Sequence, residues 1–249
     1  MPTVLVAQVA LVAGVNFLSA LVQASTGFGY ALVAMPLMAL FLPMATCSAI
    51  SAVTIVAIGL QMSWKLRENL KLSTIALPVL CCLGTINVGL LLLSMFDEMA
   101  LRIILASLLL VVTALSLLMR KVSIGISGKW YFAVAAGLLT GLSAGMFNVI
   151  GPFLILYYIN VCDDTLHMKA SLEFSFLTAG LYTSAMHLFA YGNINAAVAP
   201  HIGAAVAAAL SAGLLGLKVF KKLNRNIISI FVYTLLPVMA FILVLNGVR

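Results

Sequence analysis

Charge is the scarcest property of this sequence: Asp, Glu, Lys and Arg make up 8% of it, against 64% hydrophobic residues. A soluble domain carries about 25% charged residues, so this composition excludes one and places the chain in a bilayer. Acidic residues are rarest, six in 249, and none are paired at membrane depth as a catalytic dyad would need. The four cysteines, Cys47, Cys81, Cys82 and Cys162, show no C-x-x-C or Cys/His spacing. They read as small apolar packing residues, and no metal or cofactor is expected. Neither H-E-x-x-H nor G-x-x-x-x-G-K-[ST] occurs, so neither zinc hydrolysis nor direct ATP coupling is expected of this chain.

What the sequence has in abundance is long apolar runs. Stretches near the roughly 20 residues that cross hydrocarbon fall at 3–22, 46–64, 71–94, 98–119, 129–147, 168–190, 194–217 and 226–247, with shorter pieces at 29–42 and 151–160. Only helices and closed barrels satisfy their backbone in lipid, and continuous runs exclude the alternation of a barrel strand. The fold class is therefore all-α and polytopic, with about eight transmembrane helices. Met1 to Gln8 lacks the basic start of a cleaved signal peptide and is expected to be mature structure. The net charge of +7 is spread between apolar segments, which points to loops on one side of a membrane and not to nucleic acid.

The positions of Lys and Arg decide between topologies. Eight simple crossings divide them seven against six, with no bias. If segments 3–42 and 129–160 each enter and leave on one face, as a hairpin or re-entrant pair, the division becomes eleven against two, leaving only Arg102 and Arg249 opposite the rest. That is the asymmetry of the positive-inside rule. It predicts both termini outside and two halves, 1–124 and 125–249, inverted relative to each other. Recurring pairs support a duplication: Gly29 with Gly151 and Pro78 with Pro200 are 122 apart, Gly59 with Gly180 121, and Gly14 with Gly137 123.

Each half begins with an interrupted apolar segment. The first break is Gln23-Ala24-Ser25-Thr26-Gly27-Phe28-Gly29 and the second Asn148-Val149-Ile150-Gly151-Pro152. Such interruptions in corresponding places are the best sequence pointer to a transporter's binding site. A helix that restarts after a glycine turn offers free backbone N–H groups and a positive dipole end. The restarts at Gly27 to Tyr30 and at Gly151, Pro152 and Phe153 would then converge on a small anion. Gln23, Ser25, Thr26 and Asn148 would add side-chain hydrogen bonds. No Lys or Arg lies near either break, and a neutral cage is cheaper to bury than an unpaired charge.

Ser25 to Leu37 (S-T-G-F-G-Y-A-L-V-A-M-P-L) and Gly137 to Leu154 (G-L-L-T-G-L-S-A-G-M-F-N-V-I-G-P-F-L) resemble the paired signature of the sulfite-exporter TauE/SafE family of membrane transporters. Length, helix number and two-half layout are similar too. The resemblance implies export or uptake of small sulfur-containing anions such as sulfite, sulfoacetate or thiosulfate, across what would be a bacterial plasma membrane. Members commonly carry more glycine in the second motif, where this chain has Asn148-Val149-Ile150-Gly151, which leaves the substrate open. The expected partners are a small anion and the lipid bilayer. The competing readings are an intramembrane enzyme and a non-transporting assembly subunit.

Other polar residues have less specific readings. Gly141 to Gly145 matches G-x-S-x-G, but inside an apolar helix it reads better as Gly137-x-x-x-Gly141-x-x-x-Gly145, a packing face. Lys169 and Glu173 are spaced to pair on one helical face; Glu173 is also a candidate for a coupling proton, as is His187. Gln61, Asn87 and Tyr182 are mid-segment groups that would line a path or hydrogen-bond between helices. Asp163 and Asp164 are expected to flank a loop.

Overall fold

Long apolar runs form helices in the computed structural model, which describes residues 2–27, 29–121, 129–219, 234 and 236–245; the first part of the 226–247 run lies outside the described residues. In chain order the helices are α1 (Pro2–Thr26), α2 (Tyr30–Met38), α3 (Met44–Leu66), α4 (Leu72–Met95), α5 (Glu98–Lys121), α6 (Trp130–Phe147), α7 (Gly151–Val161), α8 (Thr165–Phe189), α9 (Ala199–Val219) and α10 (Leu236–Leu245). A 3-10 turn, Arg67–Asn69, follows α3. No strand occurs among the described residues.

Five of these helices, α1 and α3 to α6, contain stretches long and apolar enough to cross a membrane, and α7, α9 and α10 contribute shorter apolar stretches. The 25-residue α8 is long enough but too polar to stand among them, because it carries Ser171, Glu173, Ser175, Thr183 and His187. All five side chains are buried, so α8 turns its polar face to protein and not to lipid. Apolar side chains such as Leu60, Leu80, Leu91 and Leu110 are exposed instead, the reverse of a soluble protein.

Three packings organise the bundle: α4 against α6, α1 against α9, and α3 against α8. The small-residue face of α6 sets the first. A Cβ at Gly137 would meet the Pro78 carbonyl, one at Gly141 the Cys82 carbonyl, and one at Gly145 the Ile86 carbonyl. The register 137 to 78, 141 to 82, 145 to 86 means that α6 and α4 run parallel in backbone contact. In the third packing, Gly59 lies against Leu177, Gly180 against Ile55 and Val56, and Ser48 against His187, so α3 and α8 are antiparallel.

These registers fix the hairpins. The Lys71 ammonium pairs with Asp163, and Thr74 Oγ1 lies 3.2 Å from His167 Nε2, so the α3–α4 and α7–α8 connections share one end of the bundle. Because α6 starts beside the start of α4, α6 and α7 enter and leave at that end. At the opposite end the Glu98 carboxylate accepts the Met44 N–H at 3.0 Å, joining the starts of α5 and α3. Asn16 of α1 accepts from the Tyr30 hydroxyl and reaches Met38 Sδ at 3.5 Å, so α2 folds back along α1 toward that end.

Two expectations change here. Lys169 and Glu173 form no ion pair among the described residues: Glu173 is 1% exposed, inside the bundle. Asp163 and Asp164 do more than flank a loop. Asp164 caps α8 by accepting the His167 N–H at 2.8 Å, and the Asp163–Lys71 hydrogen bond holds the Asp163 carboxyl below, and the Lys71 ammonium above, its ordinary pKa.

Candidate functional site

The helix α1 continues through Thr26, four residues into the expected break, because Gln23, Ala24, Ser25 and Thr26 all keep helical geometry. It ends where Gly27 takes φ +83 and its N–H donates to Gln23 O at 2.8 Å. Gly29, at φ +106, sets the start of α2; a β-branched residue there would be strained. Phe28 and the side chains of Ser25 and Thr26 lie outside the described residues.

The second break is closed by a different device. Asn148 ends α6 in the left-handed region, φ 54, the only non-glycine to do so among the described residues. Its N–H donates to Ala144 O at 2.8 Å, the single bond of an αL cap, and the next N–H, of Val149, donates to Ser143 O at 3.3 Å. Ser143 Oγ secures the turn by donating to Val149 O at 2.6 Å. Gly151 and Pro152 then start α7, proline at a first-turn position where an N–H would have no helical partner.

These two breaks meet. Gln23, Gly29, Tyr30, Asn148, Gly151 and Pro152, all predicted from the sequence, line one small cavity, with room for about one water molecule. Ala31, Leu32, Ile55, Val149, Ile150 and Phe176 complete it, and none of its lining residues is charged. The first-turn N–H groups of α2 and α7 have no acceptor within their own helices, and both helix starts face this space. Gln23 Nε2 and Asn148 Oδ1 are buried there without a hydrogen-bond partner. The arrangement supplies neutral donors and one side-chain acceptor, which suits recognition of a small polar or anionic group.

Behind the cavity lies a polar chain that sequence inspection missed. Asn148 Nδ2 donates to Ser48 O at 2.8 Å and Oγ at 3.0 Å. Ser48 Oγ lies 3.1 Å from His187 Nε2, and His187 Nδ1 lies 2.9 Å from Asn193 Nδ2. The Asn193 amide is the donor there, so Nδ1 accepts and the Nε2 hydrogen points to Ser48. His187 thus acts as a strut between α3, α8 and the loop after α8. The only signal for Ser48 in the sequence was a serine within an apolar run.

The remaining candidates lie elsewhere. Phe153 faces a separate apolar pocket with Phe132, Leu139 and Tyr157. Asn87 and Tyr182 hydrogen-bond each other, 2.8 Å from Nδ2 to the hydroxyl, and Gln61 Oε1 lies against Gly213. None of these lines the central cavity. Glu173 stands beside Gln23, short of a hydrogen bond, with its Oε2 unpartnered.

The family model described as sulfite exporter TauE/SafE matches residues 12–243. Comparison with curated proteins and with solved structures gave no match.

Proposed function

Because this chain belongs to the sulfite exporter TauE/SafE family, an integral membrane transporter family, we propose that it is a secondary transporter or facilitator of a small sulfur-containing anion. Sulfite, sulfoacetate and thiosulfate are the candidates. The observation that carries the reading is the single cavity lined by both chain breaks, Gly29 and Tyr30 from one and Asn148 to Pro152 from the other. Backbone N–H groups at the starts of α2 and α7 would hold the anion, with Gln23 adding its amide and Asn148 its position. Ser25, Thr26, Gly27 and Phe28 belong to the same first break, and Phe153 to the first turn of α7.

The movement proposed is that of two inverted halves, α1–α5 and α6–α10, about this site. The packing supports it by its reciprocity. The α4–α6 contact corresponds to α9–α1 when the halves are exchanged, and α3–α8 corresponds to itself. Gly59 lies on Leu177 while Gly180 lies on Val56, and each of these four residues is 121 positions from its counterpart. The cavity has room for about one water molecule, so seating an anion as large as sulfite would require the halves to shift.

The end bearing Lys65, Arg67, Lys71 and Lys129 would face the cytoplasm. Exposed Trp64 and Trp130 sit at that end, Trp64 stacked 4.5 Å from the Arg67 guanidinium, as interfacial anchors do. Both termini are then outside.

The test is uptake of radiolabelled sulfite and thiosulfate into proteoliposomes holding only this protein. Saturable flux above protein-free vesicles is expected for at least one; none for either would remove the sulfur-anion assignment.

A further inference from the structure

We propose that the central site takes up a proton on Glu173 together with the anion, so that the two are carried as a pair; this rests on the anion reading of the same cavity. Glu173 sits about two turns into α8, 1% exposed, and its Oε2 has no hydrogen-bond partner. The carboxyl stands beside the amide of Gln23, whose Nε2 is also unpartnered and which lines the cavity. One turn further along α8, Phe176 lines the same cavity. Glu173 is therefore one side chain removed from the proposed anion position.

The charges around it are few. Lys169, one turn away on α8, acts on Glu173 without pairing with it. The neighbouring α1 carries no titratable side chain over Pro2–Thr26. The α7 segment and the residue after it present Tyr158 and Cys162, bonded to Ser175 and Ser171. From α4, Thr74 and Asn87 meet His167 and Tyr182, and from α3, Ser48 meets His187; the 3-10 turn that also packs on α8 carries Arg67 and Glu68, and α6 carries Tyr131.

Protonation changes what Gln23 shows the cavity. An ionised carboxylate accepts only, so it draws Gln23 Nε2 toward itself and leaves Oε1, an acceptor, facing the anion. A protonated carboxyl donates to Oε1 and turns Nε2–H, a donor, into the cavity. It also removes a like charge from the anion's neighbourhood, where low dielectric makes repulsion strong. Proton and anion each favour binding of the other, and by linkage to the same degree.

Equilibrium binding of labelled thiosulfate, whose charge is constant near neutral pH, tests this on the purified full chain in sodium-free buffer from about pH 5 to 8. Wild type is expected to bind at least about tenfold more tightly at the acid end. Glu173→Gln, a mimic of the protonated form, should bind with no pH dependence and near the acid-limit affinity, while His187→Gln keeps the slope. An unchanged slope in Glu173→Gln, a slope lost only in His187→Gln, or dependence on added sodium in place of protons would overturn the proposal. If wild type binds no thiosulfate at any pH, the thiosulfate reading fails, and infrared spectra judge the proton site separately. A carboxylic-acid band that titrates in wild type and is missing in Glu173→Gln supports it; identical spectra overturn it.

Discussion

Asn148, at the end of α6, holds Ser48 of α3 through one amide nitrogen, 2.8 Å from its carbonyl and 3.0 Å from its hydroxyl. This ties the second break to the α3–α8 pair, and the left-handed Asn148 backbone depends on a residue that tolerates φ 54. Asn148→Gly keeps the backbone and removes the amide. It is expected to insert normally and to lose transport by about tenfold or more, the equivalent of about 1.4 kcal/mol. Flux equal to wild type would show that the tie is dispensable.

His187 supports Ser48 from the other side. His187→Ala strands Ser48 and Asn193, and the loss of buried hydrogen bonds should cost about 1–3 kcal/mol. Thermal unfolding in detergent reads this as a lowered midpoint, and Asn193→Ala should give part of the same shift.

Gly141 meets the α4 backbone at Cys82 and the hydroxyl of Thr85. Backbone cannot move aside as a side chain can, so Gly141→Leu is expected to destabilise by about 3 kcal/mol or more and to lower the yield of folded protein. Gly84 has open space where a Cβ would go, and Gly84→Ala should be tolerated. Equal yields of the two variants would contradict the packing.

The hairpins predict sidedness. In a background without native cysteines, Glu68→Cys and Asp163→Cys should react with an impermeant maleimide from the same side, and Asp97→Cys from the other. Labelling of Glu68→Cys and Asp163→Cys from opposite sides would require α6 and α7 to cross as one broken helix.

Much of this architecture was legible in the sequence because its causes are local or statistical. Glycines four apart forecast the α6 face, and the Lys/Arg distribution forecast that segments 3–42 and 129–160 turn back. The polar run places the first break from Gln23, too early, because polar side chains alone do not end a helix. Gln23 to Thr26 remain helical up to Gly27, where positive φ ends α1. The Lys169–Glu173 pair failed for another reason: spacing puts two side chains on one face but does not say whether that face is wet. Packing of α8 on α3, with Gln23 of α1 beside it, buried Glu173 instead. Ser48, His187 and Asn148 are joined across separations of 139 and 100 residues, which no local pattern encodes.

The central claim is that both breaks build one anion site. Its most direct test is flux of labelled sulfite and thiosulfate in proteoliposomes for wild type, Gly29→Val and Gly151→Val, at matched, verified insertion. Loss of flux in both variants, from breaks 122 positions apart, is the result predicted. Wild-type flux in either would contradict a shared site.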